Sequence, residues 1–338
     1  MRYLGLVVCF LVLTAFPVYG YTQENSYDHF AYSANIGYGP LNLRSQSPLQ
    51  LFRLTMKPDT PDTLRPGELE MLDSTTWCNL WMLKKGQFMI DAEIIQITTE
   101  INYGLTNCCQ IGLEVPVIWR TNGILDGFIE DFHDAFHIGQ HHRTDSPRNR
   151  LLIEFLNPDD KTYWVVTDKD IGFNDITGRL KYQLTDGDDV FPAVALTGMV
   201  KFPTTTSREY SVTSGLDAGF SLSLAKGWDR FYLYTNLGEF FFGQDQLGPL
   251  ELRNKQGSLL LAGEYRLGAK TSLLLQYLAN TAAAKDFADF GKSTHEITLG
   301  LKHQITSNTL WEFGLLENMI NYDNSPDLGF HFGIDSRF

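Results

Sequence analysis

The chain ends in an alternating stretch, Leu328-Gly329-Phe330-His331-Phe332-Gly333-Ile334-Asp335-Ser336-Arg337-Phe338. Its apolar side chains occupy every second position, and Ser336 interrupts the alternation once. A period of two places successive side chains on opposite faces, so the stretch predicts a β-strand with one apolar face. A closing strand that ends in an aromatic residue is typical of outer-membrane β-barrels. We interpret Phe330, Phe332, Ile334 and Phe338 as the signal that the barrel assembly machinery recognises.

The same alternation recurs along most of the chain. Between residues 212 and 224 the even positions are mostly apolar and the odd positions are small or polar. The candidate strands are about ten residues long, enough for a tilted strand to cross a bilayer, whereas soluble strands average about five to six residues. Short turns such as 226–229 alternate with longer loops such as 243–256, as in outer-membrane barrels. The alternative is a soluble exported β-sandwich.

The sequence therefore predicts an all-β protein, a single antiparallel transmembrane β-barrel of about 12–14 strands with a long, partly helical central loop. The count of candidate strands is odd, although bacterial single-chain barrels have even strand numbers. Twelve strands are preferred if residues 49–56 lie outside the wall.

The first twenty residues have the features of a secretory signal peptide. Arg2 is basic, Leu4 begins a short apolar run, and Gly20 precedes the expected cleavage site. An uncleaved anchor is the alternative, but the apolar run is short for a membrane span. We expect a signal peptide at 1–20, a segment before the barrel at 21–47, and the barrel at 48–338, located in the outer membrane of a Gram-negative-type envelope and in contact with its lipid.

Composition excludes several classes of protein. With 43% hydrophobic and 20% charged residues, the chain is neither disordered nor a polytopic helical membrane protein. The formal net charge of -13 argues against a nucleic-acid partner. Of four cysteines, Cys9 falls in the signal peptide, and the pairing of Cys78, Cys108 and Cys109 stays open. We expect no cofactor.

A long irregular stretch at 121–160 forms the predicted central loop. Phe128 and Phe132 recur at helical spacing with Phe136, which predicts a short amphipathic helix in the barrel mouth or on the membrane surface. His133, His137 and His141 are four residues apart and would share one helical face, a spacing that can hold a transition metal. The alternative, which we favour, is that these histidines are structural or incidental.

Charged residues alternate away from the apolar faces and should point into the lumen. They can line a solute path, or they can cross-link the wall around a closed lumen; the sequence favours neither. The lumen-facing candidates are Asp91, Glu93, Asp175, Arg179, Lys181, Asp217, Glu264, Arg266, Glu296, Lys302 and Glu312.

Ser293 and His295 are two residues apart and share a strand face. Outer-membrane hydrolases use such a pair on the outer wall, but the sequence shows no third group beside it. We therefore expect no enzyme and no catalytic residues, and keep a hydrolase only as an alternative.

Three stretches resemble an uncharacterised outer-membrane β-barrel family known only as a domain of unknown function. They are residues 39–49, the loop at 123–133 and the ending at 323–333. More distantly, Gly172-Phe173-Asn174-Asp175 and Lys201-Phe202-Pro203 resemble barrels proposed to transport hydrophobic compounds. The resemblance implies fold and location but no established activity.

Three functions follow as hypotheses. The first is passive passage of a small solute, with a hydrophobic one favoured. The second is a closed structural or interaction barrel without transport. The third is an outer-membrane hydrolase.

Overall fold

The computed structural model describes residues 28–137, 139–140, 142–156, 162–205, 215–247 and 250–338. The predicted signal peptide lies outside these ranges. The strands are β1 (Leu69–Lys84), β2 (Phe88–Thr106), β3 (Cys109–Thr121), β4 (Leu152–Leu156), β5 (Thr162–Val166), β6 (Asp170–Phe173), β7 (Thr177–Thr185), β8 (Ala193–Lys201), β9 (Asp217–Trp228), β10 (Phe231–Phe241), β11 (Gln246–Leu247), β12 (Leu250–Glu251), β13 (Lys255–Arg266), β14 (Thr271–Asn280), β15 (Thr294–Thr306), β16 (Thr309–Asn318) and β17 (Leu328–Arg337).

Twelve of these strands close into one antiparallel barrel. Around the wall the order is β1, β2, β3, β7, β8, β9, β10, β13, β14, β15, β16 and β17, and β17 pairs with β1 to close the ring. The chain end takes part in this closure, because Leu69 and Phe338 exchange main-chain hydrogen bonds of 3.0 and 2.8 Å. The prediction of a single antiparallel barrel of about 12–14 strands is confirmed, with twelve strands in the wall.

The two rims of the barrel differ in their connections. At the turn rim, short connections such as 107–108, 229–230 and 307–308 join neighbouring strands. At the loop rim lie the long connections, including the one from β3 to β7 that carries β4, β5 and β6. The β1–β2 hairpin projects past this rim, where β2 also pairs with β4.

Alternation sorts the strand residues between lumen and exterior. Leu273, Leu275 and Leu299 point outward and are 41–54% exposed, whereas their neighbours Ser272, Leu274 and Thr298 are buried on the inner side. An apolar outer face is what a barrel wall presents to lipid, because every main-chain polar group is satisfied within the closed ring.

Within the described residues, helical structure lies at the loop rim. Helix α1 (Asp126–Phe136) lies in the central loop, and three short 3-10 turns cover Arg143–Asp145, Ala288–Gly291 and Tyr322–Asn324. No helix within the described ranges is long and apolar enough to cross a membrane. The prediction of a long, partly helical central loop is confirmed.

One predicted boundary is wrong. The barrel wall does not begin at residue 48, because its first strand starts at Leu69. Residues 49–56 contain a turn and no strand, although Leu49, Leu54 and Met56 are at most 2% exposed. Residues 49–56 therefore lie outside the wall, which agrees with a wall of twelve strands.

Candidate functional site

The lumen contains the N-terminal part of the chain. Residues 28–68, called the plug below, run from the turn rim to the loop rim and back. His29 N–H donates to Ser307 at the turn rim, Gln50 reaches Thr294 at the loop rim, and Thr63 is bonded to Asn107 back at the turn rim. The plug thus forms an irregular hairpin inside the barrel.

Apolar contacts pack the plug against the wall at mid-height. Leu41 and Leu43 form a cluster with Cys78, Leu274 and Leu316. A Cβ added at Gly300 would lie 2.4 Å from Leu41 Cδ1, so only glycine permits this close approach. Leu41, Leu43 and Leu54 are at most 2% exposed. Plug and wall therefore leave no wide water path at this level.

Wall carboxylates hold the plug by its main chain. Glu264 accepts from the N–H groups of Tyr38 (3.0 Å) and Gly39 (3.1 Å). Farther along the plug, Glu312 accepts from Asn42, Glu296 from Gln46 and Asp217 from Leu54, each at 3.0 Å. These bonds replace the strand partners that an extended chain would otherwise need.

Wall cations and plug charges complete the contact. Lys302 donates to the carbonyls of Tyr38 and Pro40, and Lys201 donates to the carbonyl of Phe52. Plug cations pair with wall carboxylates, since Arg44 contacts Glu114 and Lys57 contacts Glu100. In the opposite sense, Lys181 of the wall pairs with Asp59 of the plug at 2.8 Å.

Two of the cavities between the plug and the wall are small. One of about 60 Å³ lies among Lys57, Asp62, Glu70 and Arg179, and one of about 20 Å³ lies beside Arg44. Cavities of this size hold at most a few water molecules. Neither accommodates an organic solute while the plug is in place.

An apolar cap covers the plug at the loop rim. The plug tip residues Leu49, Leu51 and Phe52 belong to a cluster with side chains of the projecting hairpin and the loops. Within it, the ring centroids of Phe88 and Phe290 are 5.1 Å apart. Phe88 and Phe290 are each 1% exposed, so the cap is a closed apolar layer between the plug tip and the solvent.

The structure places most of the predicted lumen charges inside the barrel: Asp175, Arg179, Lys181, Asp217, Glu264, Arg266, Glu296, Lys302 and Glu312 all lie on the inner side, and most contact the plug or each other. The prediction is wrong for Asp91 and Glu93. In β2 the inward positions are even, as Gln96 and Glu100 show by their contacts with the plug. The two odd-numbered carboxylates therefore face outward.

Glu93 is buried because the central loop covers the outer wall there. The N–H groups of Ile124 and Leu125 donate to Glu93 at 2.7 and 2.5 Å, and Trp77 donates to its other oxygen at 2.6 Å. Ile129 of α1 and Leu125 pack against outward residues of the wall strands. The helix thus lies on the outside of the barrel near the loop rim, and not in its mouth.

A buried arginine ties the central loop to the wall. Arg143, with a side chain 2% exposed, donates to Asp126 (2.8 Å), Asn79 (2.9 Å) and Asp327 (2.6 Å). Two carboxylates and one amide thereby compensate the charge of a guanidinium removed from water, although its Nε has no hydrogen-bond partner among the described residues.

The predicted histidine face is not helical throughout. Helix α1 ends at Phe136, and His137 adopts a left-handed conformation as its C-cap with φ 58°. His133 is buried and His137 is exposed, so the two do not share a helical face. His141 lies outside the described residues. Within the described part of the chain, no group of three or more potential ligands is arranged for a metal ion.

Ser293 and His295 do meet, on the outer side of β15 at its loop-rim end. Ser293 Oγ lies 2.7 Å from His295 Nε2, and Tyr277 Oη on β14 lies 2.6 Å from His295 Nδ1. Sequence reasoning missed Tyr277, which reaches His295 only because β14 pairs with β15.

The residues of the predicted assembly signal share the outer face of β17. Phe332 and Phe338 are exposed, and Phe330 and Ile334 are partly buried beside the neighbouring strands. Their recognition by the assembly machinery stays a prediction. The three cysteines in the described residues are free thiols.

Comparisons with known proteins agree with this fold. The family described as Protein of unknown function (DUF3187) matches residues 29–338. The COG4313 outer membrane channel from Pseudomonas putida F1 is 12% identical, with a TM-score of 0.57 over 84% of this chain and 100% of that one. The toluene transporters TodX of Pseudomonas putida (10% identity, TM-score 0.41, 92% and 98% covered) and TbuX of Ralstonia pickettii (11%, 0.39, 83% and 92%) are less similar. No curated protein matches the chain.

Proposed function

The chain belongs to the DUF3187 family of proteins of unknown function, and on that premise we propose that it is an outer-membrane channel that passes a small solute when the plug leaves the lumen. The observation that supports this most is the nature of the plug contact. The plug carries no strand of the wall, so the twelve-stranded ring is complete without it. A segment held inside a closed ring by side chains can move without breaking the ring.

The observations on the solute class point in two directions. The sequence resemblance favours a hydrophobic solute, and the buried apolar cap with Phe88 and Phe290 is the layer that such a solute would have to cross at the loop rim. The inner wall, in contrast, is lined by carboxylates, amides and hydroxyls such as Gln276, Asn236 and Ser223. Passage is proposed to be passive, because nothing in this arrangement requires an energy source.

Liposome swelling of the full-length protein tests the proposal. In the variant L41N/L43N two plug side chains lose their apolar contacts, and we expect swelling several-fold faster than for the unmodified protein with small sugars, amino acids and aromatic acids. The control V190N alters a side chain that is 76% exposed at the turn rim and should leave the rate unchanged. A folded, heat-modifiable L41N/L43N that gives no swelling would support a closed structural barrel instead.

The Ser293–His295–Tyr277 contact favours a second candidate, an ester hydrolase acting on lipid at the outer wall. Ser293 Oγ would attack an ester carbonyl while His295 Nε2 takes its proton and passes it to the leaving alcohol, and water would then release the acid. We expect S293A to abolish fatty-acid release from phospholipid vesicles, with S307A at the opposite rim as control. If the unmodified protein releases no more fatty acid than S293A, this candidate fails.

A further inference from the structure

The plug shows what the inner wall binds. Its extended main chain turns N–H groups toward Glu264, Glu296 and Asp217, at 3.0–3.1 Å. The wall therefore already holds, along much of its height, a ligand that offers a row of hydrogen-bond donors. Carboxylates accept and cannot donate when ionised, so they select donor groups.

Glu264 and Glu296 stand out among these carboxylates. In the described ranges neither takes part in an ion pair, and both are at most 2% exposed. Glu264 is compensated by neutral donors only: the two plug N–H groups, Tyr234 at 2.7 Å and Ser272 at 2.5 Å. A buried carboxylate without its donors is costly unless a cation or water replaces them.

Displacement of the plug removes charges of both signs. Its four basic residues are matched by four carboxylates, namely Arg44, Arg53, Lys57 and Arg65 against Asp28, Asp59, Asp62 and Glu68. Two wall carboxylates lose a plug cation, since Arg44 is the ion-pair partner of Glu114 and Lys57 is a partner of Glu100. One wall cation, Lys181, loses the plug carboxylate Asp59.

Six wall carboxylates lose a plug partner: Glu100, Glu114, Asp217, Glu264, Glu296 and Glu312. Three of them keep a cation of the wall, because Glu100 pairs with Arg179, Asp217 with Lys201 and Glu312 with Lys302. Among the described residues, Glu114, Glu264 and Glu296 are then left without an ion-pair partner.

The wall's own cations offset this only in part. Lys302 stays paired with Glu312 at 2.9 Å and Lys201 with Asp175 at 2.8 Å, because both partners belong to the wall side. Both lysines lose only carbonyl acceptors of the plug. Lys181 loses its ion pair with Asp59. Three arginines lose an aromatic ring of the plug: Arg120 over Phe52, Arg266 over Tyr32 and Arg337 over Phe30. Arg120 and Arg266 stand at strand ends, close to the rims.

We infer that the path uncovered by the plug is selective for cationic solutes rich in N–H donors, such as linear amines, and that Glu114, Glu264 and Glu296 are its binding groups. The inference rests on the proposed channel function and names its solute class. Carboxylate-lined constrictions favour cations in the same way in other channels. This solute class differs from the hydrophobic one that the sequence resemblance favours. A lumen with these uncovered charges would be a barrier to a hydrophobic solute.

Reversal potentials in planar bilayers test it, with the full-length L41N/L43N protein in a KCl gradient. We expect K⁺ to be about threefold or more as permeant as Cl⁻, and micromolar to millimolar spermidine to reduce the current. Adding E264Q/E296Q to L41N/L43N should move the ratio of K⁺ to Cl⁻ permeability toward one. It should also weaken the reduction of the current by spermidine. The control E239Q removes a carboxylate whose side chain is 43% exposed on the outer face of β10, and should change neither.

The outcomes separate this inference from the channel proposal. A folded L41N/L43N barrel without conductance would overturn the proposed function. Conductance with equal or greater permeability to Cl⁻, or spermidine without effect, would overturn the solute class alone. If E264Q/E296Q does not fold, the permeability ratio and the spermidine effect of L41N/L43N still decide the question.

Discussion

Deletion of residues 28–62 is expected to raise the ion conductance of the reconstituted barrel by about an order of magnitude or more. The physical reason is the change in free cross-section, from cavities of about 60 and 20 Å³ to the open interior of a twelve-stranded ring. The wall should survive, since its first strand begins at Leu69 and closes on β17 without the plug. Single-channel recording gives the conductance, and heat-modifiable migration shows whether the barrel has formed.

The full-length variant L41N/L43N keeps this prediction testable if the deletion does not fold. It should show brief openings of the same maximal conductance, because the plug then leaves and returns. A deleted barrel that forms and conducts no better than the unmodified protein would mean that the lumen is closed by something other than the plug.

The second large effect concerns the central loop. In R143A, Asp126 and Asp327 lose a buried cationic partner, which costs about 3–5 kcal/mol when one member of a buried pair is removed. We expect the loop to detach from the outer wall while the barrel persists. The one wall strand that Arg143 contacts is β1, through the side chain of Asn79, and the main-chain pairing of β1 with β2 and β17 does not involve Arg143. Limited proteolysis of proteoliposomes should therefore cut near residues 137–150, with the β-barrel fragment remaining heat-modifiable.

R148A is the matched control for this experiment. Arg148 also pairs with a loop carboxylate, Glu130, but its side chain is 59% exposed, and solvent-exposed ion pairs contribute little to stability. Its cleavage pattern should match that of the unmodified protein. Equal protease resistance of R143A would show that the apolar contacts of Leu125 and Ile129 alone hold the loop.

The strands of the wall could be predicted because their pattern depends only on residues that are close together in the sequence. An alternation of apolar and polar residues reports on which side of a strand each residue lies, and it needs no knowledge of partners. The plug could not be separated from the wall in this way. Leu41 and Leu43, and again Leu54 and Met56, also follow a period of two, because an extended segment between inner-wall surfaces has the same alternation as a strand.

The site depended on contacts that sequence spacing does not report. Asp91 and Glu93 looked like lumen residues because they alternate with apolar neighbours. At that height, however, the central loop buries the outer face of the wall, so the carboxylates lie on the outer face and not in the lumen. Tyr277 reaches His295 from the next strand, at a register that only the pairing defines. Conversely, Glu264 and Glu296 were placed correctly, since both lie in long strands with regular alternation.

The central claim is that the plug closes the lumen and that movement of the plug opens it. A reversible disulfide between plug and wall tests this claim most directly. In full-length L41N/L43C with C108S/C109S, a disulfide to the native Cys78 would fix the plug to the wall, since Leu43 and Cys78 share one apolar cluster. We predict that the oxidised, disulfide-linked protein shows no conductance in the bilayer. Reduction of the same molecules should produce conductance, and reoxidation should abolish it again. Equal conductance in both states, with the disulfide verified by mass, would contradict the account.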